Sequence, residues 1–188
     1  MESEGKICPW ALGSKELKDY HDNEWGKISR DENYLFEMLV LETAQAGLSW
    51  DTILKKRTGY QKAYQGFDPK KVASFSEKDY NRLVENKEIV RNKRKIKSSI
   101  ENAKAFLKVQ EEFGSFYNYI WSFTDGKQIQ SNWKIQEEMP SESELSKKIS
   151  KDMKSRGFTF VGPTIVYSYL QAIGIIDDHI QGCEGGKR

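Results

Sequence analysis

The sequence predicts an all-α fold, and three observations carry that expectation. Apolar residues recur at intervals of three and four, Gly and Pro punctuate the runs between them, and no segment alternates apolar with polar residues as a half-buried strand would. Asp31 or Asn33 is placed to cap a long helix through Leu35, Phe36, Leu39, Val40 and Thr43, whose spacing makes one buried stripe; Gly47 ends it. A second helix starts near Ser49 and carries Ile53, Leu54 and Ala63 toward Tyr64, after which Gly66 and Asp68-Pro69 mark a turn and a new start. Ile96, Ile100, Ala103 and Leu107 repeat at the helical period up to Gly114, and Phe116, Tyr119, Ile120 and Phe123 form another apolar patch before Asp125-Gly126. Residues 125–141 lack a clean period and read as a surface crossing. Ser141 with Glu144 fits a capping box for a helix reaching Arg156.

The stretch GFTFVGPTIVYSYLQAIG, Gly157 to Gly174, reads as a helix-hairpin-helix pattern with its hairpin at 157–163. A helix ends at Gly157, a short turn closes at Gly162, and Pro163 takes a first helical position, where a missing amide costs nothing. Gly157 and Gly162 let backbone approach closely, so free amides opening the second helix, beside Thr164, can face a DNA phosphate. The same letters describe any tight αα turn; Lys147, Lys148, Lys151, Lys154 and Arg156 favour the phosphate reading.

A chain of 188 residues suits one domain spanning its whole length, either one body or two helical lobes with a pocket between them. Its 30 basic and 28 acidic residues leave a net charge of only +2, so overall charge names no partner and distribution matters more. Five of the seven residues from Arg91 to Lys97 are basic, and Lys55, Lys56 and Arg57 make a second cluster. A phosphate backbone suits both, as does a solvated helix face. No apolar run approaches the ~20 residues of a membrane span, and the first residues lack the order of a signal peptide, so a cytoplasmic location without membrane association is expected. In a reducing compartment thiols bind metal rather than each other.

Every cysteine and histidine falls into one of two pairs at opposite ends, Cys8 with His21 and His179 with Cys183. Cys2His2 is the donor set of a structural zinc ion, which would tie the two ends together. His179 and Cys183 are four apart, so on a helical turn both project from one face. The competing reading is two buried thiols and two incidental histidines. A zinc hydrolase such as a deaminase is disfavoured, because four protein ligands leave no open position and the place of a His-x-Glu glutamate holds Asn23.

Two motifs hold the remaining unusual residues, YHDNEWG from Tyr20 and LETAQAGLSW from Leu41. Glu42 is an acid among apolar helical neighbours, and a buried carboxylate must find a partner or be neutralised. Trp10, Trp25 and Trp50 lie close in sequence to the ligand pair or to Glu42. Aromatic rings beside an acid can stack an electron-poor base while the acid accepts hydrogen bonds from its edge.

These two motifs, with WSF at Trp121 to Phe123, RGFTFVGPT from Arg156 and DHIQGC at the end, resemble the 3-methyladenine DNA glycosylase I family over nearly the whole chain, Cys8 to Cys183. The resemblance implies a helix-hairpin-helix glycosylase fold, a structural zinc on Cys8, His21, His179 and Cys183, and excision of 3-methyladenine from alkylated duplex DNA, releasing the free base; a monomer is expected. It implies base contacts from Glu42 and Tyr20, stacking on Trp50, and Trp10 nearby. Leu17 stands where some relatives carry a pocket tyrosine, and Ala44 where glutamine is common. Asp177, near the place of a catalytic aspartate in the wider superfamily, is expected instead to cap the turn presenting His179. The alternative is a zinc-stapled DNA-binding module without catalysis.

Overall fold

In the computed structural model, which describes residues 6–186, Asp31 caps the central helix, its carboxylate accepting from the amides of Asn33 and Tyr34. That helix, α2 (Glu32–Gln45), is buried at every position from Leu35 to Ala44. A helix buried all round is a core axis rather than a surface element. Before it lies α1 (Lys15–Asn23); after it come α3 (Trp50–Ala63), α4 (Pro69–Ala73), α5 (Glu77–Glu85), α6 (Lys93–Phe113) and α7 (Phe116–Ser122). The hairpin pair is α8 (Glu144–Ser155) and α9 (Pro163–Ala172), and α2 packs against α3, α6, α7 and α9. None of the helices among the described residues is long and apolar enough to cross a membrane.

Local sequence explains most boundaries. Ser49 caps α3 through the amide of Thr52, Asn92 caps α6 through that of Lys95, and α6 stops at Gly114, which takes φ +83°. The box at the start of α8 is Ser143 with Ser146, not Ser141 with Glu144. There the hydroxyl of Ser146 accepts from the Ser143 amide, a role in which a short Ser can replace Glu.

The expectation of helices alone needs one correction. β1 (Ile129–Gln130) and β2 (Ile176–Asp177) pair in parallel, Ile129 with Ile176 and Gln130 with Asp177. Two residues are too few to alternate visibly, so no strand pattern marks them. The pair seats the segment after α9 against residues 129–131, and Gly174 makes the turn from α9 into β2. At φ +86°, a Cβ on Gly174 would lie 2.3 Å from the Lys27 carbonyl. Only glycine lets these two backbones pass.

Candidate base pocket and metal-ligand cluster

Ser14 sets the register of α1: its hydroxyl accepts from the Leu17 amide and donates to Asp51 at 2.5 Å, tying the start of α1 to the first turn of α3. Leu17 and Tyr20, three apart, then face the same side. With Trp10, Glu42, Trp50 and Gln171 they line a cavity of 560 Å³. The rings of Tyr20 and Trp50 meet edge to face at 5.3 Å, and Trp10 packs edge-on against Trp25 at 4.9 Å. The expected pocket residues Tyr20, Trp50, Trp10 and Glu42 are thus brought together. Leu17 is in the wall as expected, whereas Ala44 is buried in the core.

The two buried acids of α2 have opposite fates. Glu37 accepts from Arg57 Nε at 2.5 Å, and the same guanidinium forks onto Glu24 at 2.7 and 2.8 Å. Glu42 has no hydrogen bond or ion pair among the described residues, and burial alone pushes its carboxyl up to about 8. The neighbouring Tyr20 hydroxyl is held well above its ordinary value by burial and by the Glu42 charge. The indole N–H of Trp50 is also buried without a partner. An aromatic slot with one uncompensated acid and one uncommitted donor fits a flat, positively charged ring.

Part of this wall had no sequence signal. Residues 125–141 end not on open surface but on the cavity, where Gln136, Met139, Pro140 and Ser141 form one side. The Gln136 side chain accepts from the Trp10 amide at 2.8 Å, which fixes the crossing to the first segment. Such a contact between residues far apart in sequence leaves no periodicity to read.

Behind Trp10 lies the second constellation. Cys8 Sγ stands 3.7 Å from Cys183 Sγ, and Cys183 Sγ 3.4 Å from His21 Nε2, and ligand atoms of all three residues lie within 4.8 Å of one another. Around a tetrahedral zinc the S···S and S···N edges are about 3.8 and 3.5 Å, so the spacing suits that ion. His179 is adjacent, its ring 4.7 Å from that of His21 and its Nε2 3.4 Å from the His21 carbonyl oxygen. Both histidines place Nδ1 against a carboxylate, His21 on Asp22 at 2.8 Å and His179 on Asp177 at 2.6 Å, so Nε2 is the ring nitrogen left facing away from a carboxylate; His179 itself lies outside the three-residue cluster. A Cβ at Gly185 would come within 2.6 Å of His21 Cε1 and 2.9 Å of His179 Nε2, so the chain crosses tightly over both rings. His179 and Cys183 do not sit on a helical turn. The segment is a reverse turn in which the Cys183 amide donates to Ile180 O and Gly182 takes φ +77°.

Asp177 has the positioning role expected of it, accepting from the His179 amide as well as the ring. Its neighbour Asp178 is fully buried and accepts from Ser131, Trp133, Tyr167 and Gln171. The hairpin is also in place. Gly157 at φ +93° and Thr164 are exposed, and Gly162 begins α9 with open space beside its Cα. In the cluster Lys55–Arg57, Lys55 pairs with Asp51 at the surface, Lys56 donates to the Lys87 carbonyl at 3.4 Å, and Arg57 turns to Glu24 and Glu37.

A helical body that holds an acid-floored aromatic slot beside an exposed hairpin is the architecture of a base-excising DNA glycosylase. The profile of the methyladenine glycosylase family matches residues 10–185, and the chain belongs to that family. It is 43% identical over 176 residues to "DNA-3-methyladenine glycosylase 1" of Escherichia coli, covering 94% of each chain. To the "DNA-3-methyladenine glycosylase" of Haemophilus influenzae it is 41% identical over 176 residues, 94% of this chain and 95% of that one. It also resembles a solved tyrosine-to-phenylalanine variant of 3-methyladenine DNA glycosylase I in complex with 3-methyladenine. There the TM-score is 0.93, with 34% identity over 96% of this chain and 97% of the other.

Proposed function

We propose that this chain hydrolyses the N-glycosidic bond of 3-methyladenine in alkylated duplex DNA after the nucleotide is everted. The observation that carries the reading is Glu42, a buried acid with no protein partner, set in the floor of an aromatic cavity. Methylation at N3 makes the base cationic, so it leaves readily and no strong general acid is required. Near neutral pH the empty site holds Glu42 mostly protonated, because burial penalises its charge. A cationic base repays that penalty by pairing with the carboxylate, whereas neutral adenine cannot. Eversion costs on the order of a few kcal/mol, which stacking on Trp50, at ~1–3 kcal/mol, offsets. Tyr20 and Trp10 close the slot around the ring, and water attacks the oxocarbenium-like sugar. Gly162 and Thr164 present amides and a hydroxyl to the phosphate backbone, while Gly157, whose own amide donates to the Lys154 carbonyl at 3.1 Å, lets the backbone approach closely.

Cys8, His21, His179 and Cys183 would hold one zinc ion, with Asp22 and Asp177 orienting the two imidazoles. The buried Cys8 thiol is pushed up to about 12 by desolvation, so its thiolate needs a cation beside it. When bound, the ion supplies a structural cross-link between the two ends of the chain. A DNA-binding module without catalysis gives no reason for an unpartnered acid beneath three aromatic rings. Incubating the protein with methylated duplex DNA and identifying the released bases by chromatography is the direct test. Release of 3-methyladenine is expected; a folded protein that releases none refutes the reading.

A further inference from the structure

The start of α6 is built against local stability. Its first turn carries Lys93, Arg94 and Lys95 and no acid, although cations at a helix N-terminus oppose the helix dipole. Arg91, Lys93, Arg94 and Lys97 are all exposed, and none has an ion pair among the described residues, while paired acids and bases are common elsewhere on the chain. Residues 93, 94 and 97 lie three and four apart, so they present one cationic face.

That face is locked to two other features. Asn102 and Ser98, further along α6, clamp the hairpin. The Asn102 side chain accepts from the Thr159 amide at 2.9 Å and donates to its carbonyl at 3.1 Å, and the Ser98 and Thr159 hydroxyls meet at 2.6 Å. The Arg94 guanidinium lies over the Phe160 ring at 5.8 Å. Lys95 turns the other way, donating to the carbonyls of Ala44 and Ala46 at 2.8 and 2.5 Å at the end of α2, next to the cavity residues Gln45 and Ser49. The outward cations therefore stand between the hairpin and the mouth of the base pocket.

We propose that the α6 face of Lys93, Arg94 and Lys97 is a second phosphate-binding site that carries the DNA backbone from the hairpin to the pocket mouth. The inference rests on the glycosylase reading above and adds to it the path of the DNA. Its occupant is a duplex phosphate backbone, for which unpaired, solvent-facing Lys and Arg on a fixed platform are the suited donors.

The test compares R94Q/K97Q with K108Q/K127Q, which removes the same charge from exposed positions elsewhere. The probe is a duplex carrying a tetrahydrofuran abasic analogue, with binding measured between about 50 and 200 mM NaCl. Loss of two phosphate contacts should make the slope of log K against log salt shallower by about 2 and weaken binding roughly ten- to a hundredfold in R94Q/K97Q. The control pair should keep the wild-type slope. Binding of free 3-methyladenine, followed by tryptophan fluorescence, should be the same in all three proteins. If R94Q/K97Q retains the slope and affinity of the control while the wild type excises normally, the second site does not exist. A wild type that excises nothing would instead sink the functional reading.

Discussion

Replacing Glu42 by Gln should make the protein more stable in mild alkali while abolishing base discrimination. In the folded protein the Glu42 carboxyl keeps its proton up to about pH 8, whereas in the unfolded chain it loses it near 4.5. Between those values folding takes up a proton, so stability falls as pH rises. The penalty is absent below about pH 4.5 and complete above pH 8. At about 1.4 kcal/mol for each pH unit, the interval amounts to about 5 kcal/mol, an upper figure because water entering the cavity screens part of the charge. A carboxamide has the size and neutrality of the protonated acid and carries no such penalty. Thermal unfolding of E42Q and wild type should therefore coincide near pH 4, below the unfolded-state value. At pH 8.5 they should separate by ~2–5 kcal/mol in favour of E42Q, or roughly 4–20 °C in Tm. Equal melting temperatures at both pH values would show that Glu42 has a partner or is solvated, and the account of cation recognition would go with it. Excision by E42Q, read on a gel, should fall sharply at every pH.

Two further predictions concern the other buried networks. Cys183→Ser should lower bound zinc from about one ion per chain to near none by plasma mass spectrometry and reduce Tm by roughly 5–10 °C, an effect of a few kcal/mol; full retention of the ion would show the ligand set to be wrong. Asp178→Asn should cost about 3–5 kcal/mol in urea unfolding, because the amide nitrogen faces donors that now lack an acceptor. It should also raise KM, since Gln171 in the cavity wall loses the bond that fixes it.

Most of the helical frame and the core of the site were legible in the sequence for separable physical reasons. The apolar repeat of α2 and the glycine at the end of α6 act within a few residues, so they are visible as local pattern. Glu42 stood out because a charge in an apolar stripe is costly wherever the helix ends up. What could not be read depends on pairs distant in sequence. The bond between Gln136 and Trp10 that turns the crossing segment into a pocket wall has no local signature, nor has the two-residue β pairing. Arg57 looked like a member of a surface cluster, yet it reaches inward to Glu24 and Glu37, a choice made by tertiary packing. The turn at Ile180–Cys183 shows the same limit, since ligand spacing of four fits a reverse turn as well as a helix.

The pairing of Lys6 with Cys183, and the convergence of Cys8 and His21 on the same cysteine, form a latch between segments 175 positions apart in the sequence. A polypeptide cut short by premature termination or clipped by a protease lacks one jaw of the latch, however well its middle has folded.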